Sequence, residues 1–359
     1  MFIRALKRGM LIAAVAVLFF AVLAPASQAC TRILWATDLG VYTGRTMDWP
    51  ASTEPMLMTF PKGIERNGGV FVGHRVVKTN PVIWTSKYGS IVVSTYGAGA
   101  IDGLNERGLG VHMLFFTATD FGPRDPRKKG LQAGDWAQYL LDNAASVDQA
   151  INLMKDVQIV MVEANGHKAN LHLALEDASG DSAIMEYENG KLHIYHNRKY
   201  RVMTNDPAFP EQLRLLEEKH FDFANPTRDM PLPGNVNPID RFQRATYYLR
   251  ALKQPKSDSD AVATMMSLLY NVSVPIGAPY KGQGAGDGFD AYSTEYRTIT
   301  DTAHSRYFFQ LATMPAVIWV DLSKIDFSKG APVLELNPDN PKLFGNVTEL
   351  LKQVKSIPF

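Results

Sequence analysis

A single cysteine limits what this chain can become. Cys30 is the only one among 359 residues, so no intramolecular disulfide can form and a buried apolar core must hold the fold. Its place is as restrictive as its number. Arg4, Lys7 and Arg8 precede an apolar run from Met10 to Ala24, and Pro25-Ala-Ser-Gln-Ala29 puts small residues at −3 and −1 of a cut after Ala29. This is the pattern of a secretory signal peptide over residues 1–29, and its removal would leave Cys30 as the first residue of the mature region, 30–359. The apolar run is fifteen residues long, short of the roughly 18 that a spanning helix needs. No later stretch approaches that length, so an exported protein without membrane insertion is expected.

Two readings of a cysteine at that point compete. Bacterial lipoproteins are cut just before a cysteine, which would make this a lipid-anchored binding protein attached through Cys30; their usual signal has Leu at −3, where this chain has Ser27. The other reading is an N-terminal nucleophile. An α-amino group has a pKa of roughly 7.7–8.0 and a thiol about 8.5, so near neutrality the amine released by cleavage can take the thiol's proton. Nucleophile and base then belong to one residue.

The rest of the sequence fits a small-molecule enzyme. Lys and Arg number 37 against 36 Asp and Glu; three of the bases and none of the acids lie in residues 1–29, so the mature region carries 34 bases against 36 acids. A charge near −2 gives no footprint for nucleic acid or an anionic membrane. There is no G-x-S-x-G elbow, H-E-x-x-H, C-x-x-C or Walker A loop. His193 and His196 fall on opposite faces of an expected strand, which disfavours shared metal ligation, and no metal or cofactor is expected. Gly282-Gln-Gly-Ala-Gly-Asp-Gly288 lacks the G-x-G-x-x-G spacing and reads as a loop rather than a dinucleotide site.

Pattern along the chain predicts strands at Thr31–Ala36 and Val41–Trp49 forming a hairpin, then at 56–60, 81–84, 90–96, 101–104 and 109–116. Helices follow at 135–143 and 146–155, where Ser146 and Gln149 suggest a capping box. Strands resume at 157–162, 169–176, 182–187, 191–196 and 201–204, helices at 211–220, 240–252 and 258–270, and strands at 294–300, 306–311 and 317–322. Blocks of strands alternating with blocks of helices argue for an α+β fold of antiparallel sheets covered by helices. No internal repeat or linker divides region 30–359, so a single domain is expected.

Ordered motifs from Cys30 to about Trp319 then carry a resemblance. Cys30-Thr31, Gly44-Arg-Thr-Met-Asp-Trp49, Leu104-Asn-Glu-Arg-Gly-Leu109, Val202-Met-Thr-Asn-Asp-Pro207 and Leu232-Pro-Gly with Asp240-Arg-Phe-Gln-Arg-Ala245 resemble the choloylglycine hydrolase family of N-terminal-nucleophile amidases, which comprises penicillin V acylases and bile salt hydrolases. The resemblance implies a four-layer αββα sandwich of two stacked, mainly antiparallel sheets, and cleavage of a non-peptide amide through an acyl-enzyme. It places Cys30 as nucleophile, Arg45 and Asp48 on the family's R-x-x-D motif, Asn205 on its T-N motif and Arg241 on its R-F motif.

Elementary chemistry suits those roles. A guanidinium at Arg45 would favour thiolate, Asp48 would accept from the freed amine and hold it, Asn205 would aim an amide N–H at an oxyanion, and Arg241 would brace the site with its fork of donors. Each also has an ordinary structural reading: Arg45 and Asp48 as a surface pair on a strand, Asn205 as a turn former, Arg241 as the basic side of a helix start. Asn105 is assigned to its turn.

Two departures refine the resemblance. Phe115 stands where the bile salt hydrolases have Asn and the Gram-positive penicillin V acylases have Tyr, and would offer an aromatic wall to an acyl group. Only 36 positions separate Asn205 from Arg241, too few for the hairpin that helps the Gram-positive enzymes to form tetramers. Both features are similar to the Gram-negative penicillin V acylase branch, which also includes enzymes acting on N-acyl homoserine lactones. A periplasmic amidase for penicillin V or a similar N-acyl compound is therefore expected, with conjugated bile salts or N-acyl homoserine lactones as alternative substrates and homo-oligomerisation left open. Trp49, next to Asp48, would reach the substrate only if the strand bends there; otherwise it packs in the core.

Overall fold

The computed structural model describes residues 30–227, 229–278 and 293–359; the expected signal peptide and the Gly282–Gly288 loop lie outside them. Sixteen strands, numbered here in chain order, build two sheets: β1 Cys30–Thr37, β2 Gly40–Trp49, β3 Met56–Phe60, β4 Ser90–Thr95, β5 Gly99–Asn105, β6 Gly110–Phe115, β7 Leu171–Glu176, β8 Ser182–Glu188, β9 Lys191–His196, β10 Val202–Thr204, β11 Ser293–Asp301, β12 Arg306–Leu311, β13 Ile318–Asp321, β14 Leu334–Leu336, β15 Gly345–Asn346 and β16 Lys352–Gln353. The first sheet has the order β10-β1-β2-β11-β12-β13-β15 and the second β9-β8-β7-β6-β5-β4-β3-β14-β16. All neighbours are antiparallel except β13 with β15. The predicted hairpin of β1 and β2 is present, but β1 is not a sheet edge, because β10 pairs along its other side through Thr31↔Thr204 and Ile33↔Val202.

Helices α1 Trp136–Asn143 and α2 Val147–Leu153 are followed by α3 Phe209–Glu217, α4 Pro238–Ala251 and α5 Asp258–Val272. α1 packs on β5 and β6 of the second sheet, and α4 and α5 on β1, β2 and β10 of the first. The result is helix, sheet, sheet, helix, the four-layer order that the resemblance implies. Asn237 caps α4 by accepting from the Asp240 N–H, and Pro238 at the first helical position needs no donor. That is why α4 starts two residues before the predicted Asp240. Ser146 caps α2 by accepting from the Gln149 N–H at 3.3 Å, but the Gln149 side chain takes the Ala145 N–H, so only half of the capping box forms. Two other expectations shift: residues 83–85 pair in a small sheet with Glu65–Asn67, and Val157–Val160 pairs in parallel with Lys129–Gln132, a strand that the sequence pattern did not suggest.

Alternation along β1 and β2 decides what meets what. Cys30 pairs with Met47, Thr31 with Thr46 and Arg32 with Arg45, so Cys30, Arg32, Arg45, Met47 and Trp49 share the face toward the second sheet. Thr31, Gly44, Thr46 and Asp48 face the helices. α5 lies so close to β2 that a Cβ at Gly44 would stand 2.7 Å from Met265 Sδ. Two arginines directly opposite on neighbouring strands repel. The second sheet answers them with Asp102 and Glu176, and all four side chains are fully buried.

Candidate active site

Cys30 opens β1 with 1% of its surface exposed. Three elements converge on it. From the end of β10, Asn205 accepts a hydrogen bond at Oδ1 from the Cys30 nitrogen and donates from Nδ2 to the Phe115 carbonyl at 2.7 Å. From the first turn of α4, Arg241 donates to the Cys30 carbonyl at 2.7 Å, to Thr31 Oγ1, and to Asn205 Oδ1 at 3.2 Å, while its Nε donates to the Val236 carbonyl at 2.8 Å. Its planar fork thus fixes the backbone of the nucleophile's own residue.

From β2, on the face shared with Cys30, Arg45 donates to the Tyr296 hydroxyl at 2.9 Å, to the Met113 carbonyl at 3.0 Å and to Met47 Sδ at 3.1 Å. Met47 Sδ also lies 3.7 Å from Cys30 Sγ, so one soft sulfur touches both guanidinium and thiol.

Burial pushes the Cys30 thiol above its ordinary value. Arg45 pulls the thiol downward, as expected, but burial outweighs Arg45 and Arg241 together. Asp48, expected to accept from the freed amine, makes other contacts while residues 1–29 are attached. Its carboxylate accepts from Thr294 and, at 3.2 Å, from Thr46, and lies 3.8 Å from Arg241. The Cys30 nitrogen is held by Asn205 instead, because Asp48 alternates onto the helix side while its carbonyl, 4.0 Å from Cys30 Sγ, is what approaches the sulfur. Burial lifts Asp48 to about 6, against the charge of Arg241 and the bonds from Thr294 and Thr46.

The surface-pair reading of Arg45 and Asp48 fails, since both are buried and face opposite ways. Asn105 does serve its turn, accepting from Arg107 and Leu109, and its amide also ties the end of α1 by donating to Leu141 and Ala144.

The Cys30 sulfur borders an apolar pocket. Its walls include Trp49, Phe115, Ile101, Met113, Leu171 and Tyr96. The Trp49 and Phe115 ring centroids are 5.8 Å apart with planes at 58°. Trp49 Nε1 donates to the Tyr96 hydroxyl at 2.9 Å, and His167, from the small hairpin of Glu163–Ala164 and His167–Lys168, meets Trp49 edge-on at 5.2 Å. The condition set on Trp49 thus falls away: residues 45, 47 and 49 share one face of β2, and Trp49 reaches the pocket by regular alternation. A larger cleft, lined by Thr294, Glu295 and Asn337 among others, shares the Trp49 and Tyr96 wall.

Sequence reasoning did not single out Thr46, Met47, Met113, Thr294 or Tyr296 as neighbours of the site; the first two were legible from their spacing to Arg45 and Asp48, the others only from tertiary contact. One group among the described residues could gather ligands about a metal ion, Asp148, Asp181 and His196. It shares no residue with the Cys30 pocket, and the 2.8 Å contact of His196 with Asp181 accounts for part of its closeness. His193 is not in it.

Comparison with known proteins decides what this cluster belongs to. Residues 30–335 match the model of the linear amide C–N hydrolases, choloylglycine hydrolase family. The match begins at Cys30. The chain belongs to the choloylglycine hydrolase family. It is similar to a penicillin V acylase of Pectobacterium atrosepticum, 36% identical over 348 residues that cover 89% of this chain and 88% of that one. The structure of penicillin V acylase from Agrobacterium tumefaciens superposes with a TM-score of 0.79 at 37% identity, covering 91% of this chain and 98% of that one. A bile salt hydrolase/transferase of Clostridium perfringens is 25% identical over 275 residues, 69% of this chain and 80% of that one. As a member of this family, the protein is a hydrolase of linear amide C–N bonds that acts on a small N-acyl compound through a cysteine nucleophile, and its αββα sandwich is the N-terminal-nucleophile fold.

Proposed function

We propose that removal of residues 1–29 on export to the periplasm frees the α-amine of Cys30, and that the mature enzyme hydrolyses penicillin V or a related amide with an aryl or apolar acyl group. Region 30–359 acts as one domain. The observation that carries this reading is the aromatic and aliphatic pocket beginning at the Cys30 sulfur, with Phe115 and Trp49 as its walls; the similarity to two penicillin V acylases over about nine tenths of the chain supports it.

In the proposed reaction the Cys30 thiol proton passes to the α-amine while Sγ bonds to the amide carbon. The negative oxygen formed there meets the second Nδ2–H of Asn205, the one not donated to Phe115. Losing such a donor costs about 2.7–4 kcal/mol of transition-state stabilisation in comparable sites. The ammonium returns its proton to the leaving nitrogen as the C–N bond breaks, leaving a thioester. Water then attacks the thioester, giving its proton to the same amine, and the carboxylic acid leaves with Cys30 restored. Asn205 and Arg241 hold the amine and carbonyl of the nucleophile in place throughout, Asp48 supports Arg241 and the threonines beside it, and Arg45 favours the thiolate.

Amine release from penicillin V, penicillin G, glycocholate and N-acyl homoserine lactones tests the substrate class, with penicillin V expected to react best. Preference for glycocholate or for the lactones would replace it. Cys30→Ala is expected to abolish turnover with the fold intact, and Cys30→Ser to retain little activity, because a hydroxyl is much the weaker acid. More than a tenth of wild-type turnover in the alanine variant would overturn the nucleophile. Intact mass separates the enzyme from a lipid-anchored binding protein: the mature chain should begin with an unmodified Cys30, and a diacylated one would favour the anchor.

A further inference from the structure

The space between the two sheets holds a continuous line of buried charges that ends at Arg45 and whose other members the reaction above does not use. It starts at Arg32 on β1, whose Nη2 lies 2.7 Å from Glu176 Oε2 on β7. Glu176 Oε1 is 2.8 Å from His112 Nε2 on β6, and His112 Nδ1 is 2.8 Å from Asp102 Oδ2 on β5. Asp102 Oδ2 in turn stands 3.7 Å from Arg45 Nε, a nitrogen with no hydrogen-bond acceptor. Asp102 Oδ1 accepts from Tyr307 on β12 and from Thr298 on β11 at 3.3 Å. Every charged side chain in this line is fully buried.

Two carboxylates that can only accept flank the two ring nitrogens of one imidazole, so His112 satisfies both only as a doubly protonated cation. Its ring therefore competes with Arg45 for one oxygen of Asp102, and at 2.8 Å against 3.7 Å it wins.

We propose that His112 is a positioning residue for Cys30: as an imidazolium it keeps Asp102 from closing onto Arg45, so that the guanidinium's charge acts on the Cys30 sulfur. Without that cation, Asp102 would pair with Arg45 Nε and cancel the field at the thiol. The direction of titration agrees. Burial disfavours a charged His112, but Glu176 and Asp102 outweigh it and push the group up to about 9. Burial likewise opposes the charge on Glu176, and His112 with Arg32 holds it at about 2. The groups facing His112 are Asp102 and Glu176 directly, and Arg32, Arg45 and Tyr307 through them.

The proposal rests on Cys30 being the nucleophile, and its test needs no substrate. The rate of Cys30 alkylation by iodoacetamide against pH reports the thiolate population of the mature enzyme. In His112→Gln the thiol titration should move up by about one unit, slowing alkylation at pH 7 about tenfold, with kcat falling and KM unchanged. In Asp102→Asn, which removes the carboxylate that would neutralise Arg45, alkylation should speed up. The double variant should behave like Asp102→Asn, because without the carboxylate His112 has nothing to restrain. A general loosening of the core would move both single variants the same way, and that result, or a folded His112→Gln with an unchanged profile, overturns the proposal.

If His112→Gln does not fold, nitrogen-15 histidine spectra of the wild type decide: a buried imidazolium persisting at pH 8 is expected, and a neutral His112 ring at pH 7 overturns the proposal. Turnover in Cys30→Ala would instead sink the nucleophile reading and leave these spectra unaffected.

Discussion

Truncating Phe115 to alanine tests how the pocket selects its acyl group. Phe115 is half-buried at the end of β6; its ring leans on Trp49 at 5.8 Å, and its carbonyl, not its side chain, accepts from Asn205. The substitution removes one aromatic wall while leaving that carbonyl in place. Trp49 keeps its bond to Tyr96 and its edge contact with His167, so the opposite wall stays anchored. An aromatic pair contributes about 0.5–1.5 kcal/mol beyond simple burial, which converts to a loss of roughly 2- to 12-fold in kcat/KM for an aryl acyl substrate, somewhat more once the lost contact area is counted. Steady-state kinetics with penicillin V should show that loss, with Tm moving by no more than ~3 °C. Alkylation of Cys30 by iodoacetamide, which needs no acyl pocket, should stay at the wild-type rate. Equal losses for aryl, long-chain and steroid acyl groups would refute the reasoning, because Phe115 would then act through the backbone that holds Asn205.

Three further outcomes follow from the same geometry. A methionine verifiably retained before Cys30 should give an inactive enzyme with a slowly alkylated thiol, since a peptide nitrogen bonded to Asn205 can donate but cannot take a proton; full activity would show that the amine is not the base. His112 should make stability fall in alkali. Its folded value of about 9 lies above the unfolded value near 6.5, so its contribution is complete below pH 6.5 and is lost as pH rises through 9, on the order of 3 kcal/mol; Tm should drop between pH 7 and 9.5 by more in wild type than in His112→Gln, and equal drops would refute it. Gly110→Ala would place a Cβ 1.9 Å from Glu176 Oε1, an oxygen that cannot swing away without releasing His112, so a destabilisation of about 2 kcal/mol or more is expected in denaturant titration.

Much of the site could be read from residue order. The hairpin of β1 and β2 follows from its turn and alternation, and with it the pairing of Cys30 with Met47 and Arg32 with Arg45. Across the turn at Asn105–Gly108 the structure pairs Asp102 with His112, one residue off the register that strands ending at 104 and resuming at 109 would give. Two charged residues in otherwise apolar strands were a visible signal that something polar lies in the core. What could not be read was which sheet would supply their partners, since Glu176 lies 64 residues beyond His112 in sequence and meets it only because β6 and β7 are neighbours.

The sequence by itself determined that Cys30 begins a strand, forms no intramolecular disulfide and heads an antiparallel, helix-covered fold, because these depend on local pattern and on counting one residue type. Tertiary structure decided the rest. It turned Asp48 toward Arg241 and the helices, gave the Cys30 nitrogen to Asn205, brought Phe115 against Trp49, and threaded five charges between the sheets. Each of those outcomes depends on which faces of distant strands are pressed together, and strand alternation fixes that two faces exist without saying what each will meet.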